Sequence, residues 1–234
     1  MNCGYHHGDL SRELVDVAVE LIDREGFASF SIAEACRRLN VSTAAPYRHF
    51  TDRTDLLAAI AIRCVEMLAE HVAVSSTICP DPVERLARSV SGYVMFAARH
   101  PALFDVVFSG RILIGSNPQM AEAMRPVVES FVVPTYEIPG ITDHDATSLV
   151  ITAGAIAHGY GAFTATGSFD TVDDTGAFVA QVAAEVVQAL VRGRDEFLGR
   201  LDELPIIVAG KPFQAWVDIV GARLPRMGVD AISE

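Results

Sequence analysis

Apolar residues recur every three to four positions over most of this chain, a spacing typical of amphipathic α-helices. The first such run, from about Asp9 to Glu25, places one apolar face on Leu10, Leu14, Val17, Leu21 and Ile22. Asp9 can cap this helix, and Gly26 supplies the residue that ends it. No alternation of apolar and polar residues indicates strands. The pattern therefore predicts an all-α protein.

The stretch from Ser31 to Arg53 predicts two short helices joined by a tight turn. Ser31 and Glu34 have the spacing of a capping box, so the first of these helices is expected to begin at Ile32. Its outer face carries Arg37 and Arg38, and its buried face consists of Ile32, Ala35, Cys36 and Leu39.

The residues after this helix predict the turn and the second short helix. Asn40 tolerates the left-handed conformation that ends helices, and Val41 is expected to anchor the turn. Ser42 or Thr43 can cap the next helix, with Pro46 in its first turn, where a missing N–H has no helical partner to lose. A short helix after a tight turn is what the major groove of DNA admits.

A long helix follows, beginning near Thr51 or Asp52 and continuing towards Val72. The prolines between Ser75 and Pro82 break it and mark a boundary. We therefore expect an N-terminal domain over 1–53, extended by the long helix to about 73, and a second helical domain over 74–234.

The second domain is predicted to be helical throughout. Successive helices are expected over Pro82 to about His100, Ala102 to Ser109, Pro118 to Tyr136, the uncharged segment Ala146 to Phe169, and Thr175 to Arg192. The uncharged segment is long enough for a membrane span, but four glycines, His158 and missing basic flanks favour a buried helix. A C-terminal extension begins at about 196, and Pro212 can start a short helix within it.

The residues Val41, Tyr47, His49 and Phe50, followed by Asp52, Arg53, Leu56 and Leu57, resemble the DNA-binding region of the TetR family of bacterial transcriptional regulators. The opening GYHHGDL and the spelling AAPYRHF are similar to one subgroup of that family, whose ligand domain carries a His-Gly motif. His158-Gly159 resembles that motif, although Gly154 stands where the subgroup has tryptophan.

The resemblance implies a helix-turn-helix domain linked by a long helix to a larger ligand-binding and dimerisation domain. It also implies a homodimer that binds palindromic double-stranded operator DNA and is released by a small apolar molecule, with repression as the expected outcome. Tyr47, His49 and Arg53 would contact phosphates, and Thr43, Ala44 and Arg48 would face bases. The full set of candidate DNA-binding residues is Arg37, Arg38, Ser42, Thr43, Ala44, Tyr47, Arg48, His49 and Arg53.

Two helices of the second domain are candidates for the dimer interface, at about 145–166 and 175–192. One carries small residues at every fourth position, and the other carries a row of larger apolar residues: Ala153, Ala157, Gly161 and Ala165, then Phe178, Val182, Val186 and Leu190. Two such helices from each copy would form a four-helix interface. The alternative is that both bury these faces within one chain.

An apolar ligand pocket among these helices would be lined by aromatic residues and methionines: Tyr93, Phe96, Phe104, Phe108, Met120, Met124, His158 and Phe163. The same residues can instead fill the core, and a single histidine on an apolar helix is more often a hydrogen-bonded core residue than a ligand.

Charge supports a local DNA contact. The formal net charge is −12, which argues against a protein that coats nucleic acid over its whole surface. Between Arg37 and Arg53, however, four arginines accompany a single acid, whereas residues 61–234 carry twelve basic and twenty-one acidic residues. Any DNA contact is therefore expected at this one patch.

Other classes of function are less well supported. Cys3 with His6 and His7 could suggest a metal site, but a terminal arm is the simpler interpretation, and we expect no metal or cofactor. The four cysteines show no paired spacing, and no secretory signal precedes them, which indicates a cytoplasmic protein. The chain lacks enzyme motifs, and HGYG at 158–161 lies inside a helical run. A helical sensor or interaction protein without DNA binding is the alternative, and an enzyme using His158 is the least favoured.

Overall fold

The computed structural model describes residues 10–76, 79–108, 117–168 and 175–194. Within these ranges it contains eight α-helices, two short 3₁₀-helices and no strand, which confirms the all-α prediction. The α-helices are α1 (Leu10–Glu25), α2 (Ile32–Arg38), α3 (Arg53–Ser76), α4 (Pro82–Arg99), α5 (Pro101–Phe108), α6 (Pro118–Tyr136), α7 (Asp143–Ala165) and α8 (Thr175–Arg192). The predictions for the N-terminal arm, the Asp9 cap and the tail from 196 lie outside the described residues.

The chain divides into a head, residues 10–53, and a body formed by α4 to α8, with α3 running from one into the other. In the head, α1 buries a face that is wider than the predicted one, because Val15, Ala18 and Val19 join the predicted Leu14, Leu21 and Ile22 in the core. The helix ends at Gly26, whose φ of 82° is in the region that favours glycine.

The helix α2 begins at Ile32 as predicted, but the expected capping box is not formed. The Ser31 carbonyl accepts the Glu34 and Ala35 N–H groups at 3.1 and 3.2 Å, whereas its hydroxyl makes no capping hydrogen bond. The Glu34 carboxylate instead accepts two hydrogen bonds from Arg37, because a charged donor one turn away outcompetes a neutral N–H.

The turn after α2 is the predicted one. Asn40 has a left-handed φ of 55°, the Asn40 N–H donates to the Arg37 carbonyl, and the Val41 N–H donates to the Cys36 carbonyl. These two bonds form a Schellman motif, in which Val41 also packs against the core. The turn therefore fixes the direction in which the chain enters the next segment.

The segment after the turn forms a shorter helix than the predicted one over AAPYRHF, since only Pro46–Arg48 is helical and it is a 3₁₀-helix. Neither Ser42 nor Thr43 caps it through a side chain; the Ser42 carbonyl accepts the Ala45 N–H at 2.9 Å. The cause is Pro46, which has no N–H to donate to that carbonyl, so the chain winds into the tighter turn.

The connecting helix α3 is longer than predicted, running four residues beyond Val72. Asp52 accepts the Asp55 N–H at 2.9 Å, and Asp55 in turn accepts the Thr51 N–H at 2.9 Å, so a reciprocal cap is present at this helix start. Its buried face is fully enclosed along its length: Leu56, Ile60, Ala61, Cys64, Val65, Leu68 and Val72.

In the body, α4 lies at the centre and packs against α3, α6, α7 and α8, while α5 contacts both α7 and the head. None of the helices in the described ranges is long and apolar enough to cross a membrane. No group of His, Cys, Asp or Glu in the same ranges is arranged to hold a metal ion.

Candidate functional site

Seven of the nine predicted DNA-contacting residues lie in one exposed segment of the head, from Ser42 to Arg53, and Arg37 and Arg38 lie on α2. Ser42, Thr43 and Ala44 occupy the turn, Tyr47 to His49 follow on the 3₁₀-helix and its end, and Arg53 begins α3. Tyr47 is 52% exposed, although large aromatic side chains are usually buried. Its neighbours Pro46 and Phe50 are buried and hold the segment against the head core.

The arginines of this surface fall into two kinds. Arg37 donates from Nε and Nη2 to Glu34 at 2.8 and 2.7 Å, and Arg38 lies 3.4–3.5 Å from the carboxylates of Glu20, Glu25 and Glu34. The hydrogen bonds that Arg37 donates to the Glu34 carboxylate lower the pKa of that carboxyl. Arg38 thus ties α2 to α1.

In contrast, Arg48 and Arg53 make no ion pair with any carboxylate in the described part of the chain. Both side chains are exposed. They are the two arginines of this surface that need not give up an internal partner to meet a phosphate or a base.

Arg12, which lies on the first turn of α1, is not among the residues predicted from the sequence. A groove between α1 and α3 is lined by Arg12, His49, Phe50 and Arg63, so tertiary packing places Arg12 on the same side as His49. The apolar periodicity of α1 shows that Arg12 is exposed but cannot show which surface it joins.

In the body, four of the eight predicted ligand residues form one aromatic cluster, which consists of Tyr93, Phe104, Phe108 and His158. Their ring centroids lie 4.7–6.4 Å apart, and Tyr93 also contacts Phe131. The Tyr93 hydroxyl and His158 Nδ1 are 3.1 Å apart. Tyr93 and Phe104 are buried, so in this structure the rings fill the space between α4, α5 and α7.

Burial determines the charge of this cluster. Burial lowers the pKa of His158 and raises that of Tyr93, because removal from water disfavours the charged form of each group. Both are therefore neutral at neutral pH and share one hydrogen bond. A single polar pair inside an aromatic surround can orient a small apolar molecule that carries one polar group.

The other predicted ligand residues lie elsewhere. Phe96 is fully buried beside His71 and His100, and Met120 and Met124 are buried on α6. Phe163 is 58% exposed and does not line the aromatic cluster. It projects from the opposite side of α7, a difference that follows from its position five residues after His158 on a helix with 3.6 residues per turn.

The predicted dimer residues also separate into two groups. Ala153, Ala157 and Gly161 are buried inside the protomer, and a Cβ on Gly161 would lie 3.4 Å from Ala97 and from Phe104. The small-residue row therefore packs inward against α4 and α5, in contrast to its expected role in the interface; Ala165, the last of the row, is partly buried.

The row on α8 faces outward. Phe178 is 70% exposed, and Val182, Val186 and Leu190 are partly exposed, whereas Val179, Ala183 and Val187 are buried. On α7 the exposed apolar residues are Ile151, Ala155 and Phe163. We call these seven residues the open apolar face.

Two family models match the chain. Residues 14–60 match the bacterial regulatory proteins of the tetR family, and residues 86–186 match the tetracyclin repressor-like C-terminal domain. The two matches together cover more than half of the chain, in the order of head and body. No functionally curated protein matches the sequence.

Solved structures show the same fold. A protein of unknown function from Rhodococcus sp. RHA1 is 26% identical over 80% of this chain and 98% of its own, with a TM-score of 0.67. A possible TetR family transcriptional regulator from Streptomyces coelicolor A3(2) is 18% identical over 79% and 99%, with a TM-score of 0.58. BioQ, solved with its natural double-stranded DNA operator, is 19% identical over 80% and 99%, with a TM-score of 0.50.

The N-terminal model matches the head and the start of α3, and the C-terminal model matches most of the body. The chain belongs to the TetR family of bacterial DNA-binding transcriptional regulators.

Proposed function

We propose that this protein is a homodimeric repressor that binds a palindromic operator and releases it when a small apolar molecule enters the body. The observation that carries the proposal is the exposed segment from Ser42 to Arg53, which holds Tyr47 and His49 together with two arginines that have no carboxylate partner among the described residues. The similar BioQ structure contains an operator duplex, which supports the same use of the head here. The proposal assigns no catalytic residue.

The DNA contacts divide by role. Tyr47, His49 and Arg53 would meet phosphates and set the register, and Thr43, Ala44 and Arg48 would read base edges. Arg37 and Arg38 contribute less, since their charges are already shared with Glu34 and other acids. Arg12 is added as a phosphate contact because it lines the same groove as His49.

The open apolar face supports the dimer. Phe163 and Phe178 are large aromatic residues left mostly in contact with water in one protomer, on two neighbouring helices. A contiguous apolar surface of this kind marks an association site. A two-fold pair of such faces would place two heads side by side, as a two-fold operator requires.

The effector response rests on the aromatic cluster. We propose that an apolar molecule inserts between Tyr93, Phe104 and Phe108 and takes over one hydrogen bond of the Tyr93–His158 pair. Its entry must separate rings that now touch, which displaces α5 or α7 and tilts the heads. The effector releases DNA only to the extent that it binds the tilted state more tightly.

The test is binding of the purified protein to DNA from upstream of its own gene and to a scrambled duplex, from low to physiological salt. We expect saturable binding that keeps its preference for the native sequence as the salt concentration rises. Equal, weak binding to both duplexes, together with no enriched site in a genome-wide DNA pull-down, would overturn the proposal.

A further inference from the structure

Apart from α3, the head meets the body chiefly at the corner between α4 and α5, where α5 packs against α1 and the 3₁₀-helix Phe27–Ser29. His100 is the residue at this corner. Its N–H donates to the Phe96 carbonyl at 2.8 Å, and its own carbonyl accepts the Phe104 N–H at 2.9 Å. Its backbone therefore closes α4 and opens α5, and its side chain moves with both helices.

The His100 side chain reaches the head. Its Nδ1 lies 2.8 Å from Oδ2 of Asp23, a residue 77 positions away in the last turn of α1. The other oxygen of Asp23 is buried and has no hydrogen-bond partner in the described part of the chain. His100 is thus the side chain on which this carboxylate depends, and a hydrogen bond to a charged group is among the stronger kinds.

Two rings fix the His100 imidazole. His71 of α3 meets it edge-on with 5.5 Å between centroids, and Phe96 of α4 lies 5.4 Å from it. His71 also contacts Phe96 at 5.5 Å. Asp23 of α1, His71 of α3 and His100 at the α4–α5 corner therefore meet at one place, with His100 in contact with both of the others.

Two titratable side chains next to this contact, His71 and Cys64, favour their neutral forms. Burial, the neighbouring His100 and Arg99 all lower the pKa of His71, which favours its neutral form. Asp23 in turn helps to raise the pKa of the buried Cys64 thiol, so the thiol stays uncharged. Asp23 and His100 are then the acidic and the basic side chain that meet at this contact.

We propose that Asp23 and His100 form the joint that sets the angle between head and body, with His71 as a positioning residue for His100. The inference rests on the proposed function, because the angle matters through the spacing of two heads on an operator. The joint is suited to this task because the Phe104 N–H donates to the His100 carbonyl, so that the two residues share the first turn of α5. A displacement of the Phe104 ring by an effector reaches His100 through the first turn of α5.

A double-mutant cycle tests the joint. The variants are Asp23→Asn, His100→Gln, the double variant, and the exchange of the two residues, Asp23→His with His100→Asp. Each is titrated against the best duplex selected by the wild-type protein from a random DNA library. We expect each single variant to lose affinity several-fold, the double variant to lose no more than either, and the exchange to recover part of the loss.

Glu137→Gln is the matched control, because it breaks an exposed ion pair with Arg85 between α4 and α6 that lies wholly within the body.

A label-to-label distance from Ala33→Cys in the head to Gln119→Cys in the body is measured in every variant. The background lacks Cys3 and Cys79, and unlabelled protein is added so that only intramolecular pairs are read. We expect broader distances in the two single variants and not in Glu137→Gln.

Three results would overturn the joint: additive losses of affinity, unchanged affinity at a lowered melting temperature, or unchanged distances. If the random library yields no enriched duplex, the proposed function fails by itself. The distances then decide alone, since broadening in both single variants supports the joint and unchanged distances refute it.

Discussion

At the scale of single residues, Arg48 and Arg53 have different predicted roles: Arg48 contacts a base edge and Arg53 contacts a phosphate. Arg48→Ala should cost about 1–3 kcal/mol of binding free energy at one base position and relax specificity there, because a bidentate contact to a guanine edge is lost. Arg53→Ala should weaken all duplexes about equally. Titrations against single-base operator variants measure both effects, with Arg192→Ala, an exposed arginine on α8, as the control. An unchanged base preference in Arg48→Ala would show that Arg48 does not read bases.

His158, whose ring packs against Phe104 and Phe108, predicts a pH dependence of stability. Its pKa in the folded protein lies below the ordinary value of 6.5, so the unfolded chain binds the proton more readily. Stability is therefore complete above pH 6.5 and falls as the pH drops from there towards the folded-state pKa. We expect His158→Gln to lose less stability than the wild type between pH 7.5 and 5.5.

Tyr93→Phe is the control for that measurement, because it removes the hydrogen bond to His158 but keeps the titrating imidazole. Chemical unfolding at each pH gives the free energies. The assignment fails if His158→Gln and the wild type lose equal stability over this interval.

At the scale of elements, α3 and α4 approach so closely that glycine is required. A Cβ on Gly92 would lie 2.6 Å from Oγ and 2.9 Å from Cβ of Ser75. Gly92→Ala should therefore cost about 1–3 kcal/mol of unfolding free energy through overpacking. Gly159→Ala on α7 is the matched control, because no atom of the described residues lies within 4 Å of its Cβ position.

The control substitution should stabilise α7 by roughly 0.5–1 kcal/mol, since alanine loses less backbone entropy than glycine in a helix. Denaturant unfolding at one protomer concentration compares the two variants. Equal effects of the two substitutions would contradict the close approach of α3 and α4.

Pro134, inside α6, makes that helix depend on α4. Pro134 has no N–H to donate to the Ser130 carbonyl, and the fully buried Ser89 hydroxyl lies 2.9 Å from that oxygen and supplies the bond. Ser89→Ala should cost about 1–3 kcal/mol, because it leaves a carbonyl without a donor. Adding Pro134→Ala restores an N–H and should recover part of the loss. No recovery in calorimetric unfolding would show that the cost comes from elsewhere.

At the scale of the whole molecule, the open apolar face predicts the assembly state. Phe178→Glu places a charge at the 70% exposed position on α8 and should convert a dimer to folded monomers with weakened operator binding. Val74→Glu is the control, since Val74 is 79% exposed on α3 and lies outside the open apolar face. Sedimentation measures the mass and circular dichroism measures the fold. A dimer that persists in Phe178→Glu would place the interface elsewhere.

The sequence alone determined the local features of this protein. Apolar spacing predicted the bounds of α6 and α8, and the Asn40 turn followed from the tolerance of asparagine for a left-handed φ. The head could be recognised from its motif. These features depend on residues a few positions apart, so short-range sterics and hydrogen bonding decide them.

Tertiary structure decided which partner each surface meets. Periodicity showed that Ala153, Ala157 and Gly161 share a face of α7, but only packing revealed that α4 and α5 cover it. In the same way, Glu34 accepts hydrogen bonds from Arg37 instead of capping α2, and Asp23 contacts His100. The expected recognition helix is a 3₁₀-helix that begins at Pro46. In each case several groups could contact the same partner. Which contact forms depends on distances in the folded protein, and the order of residues does not specify them.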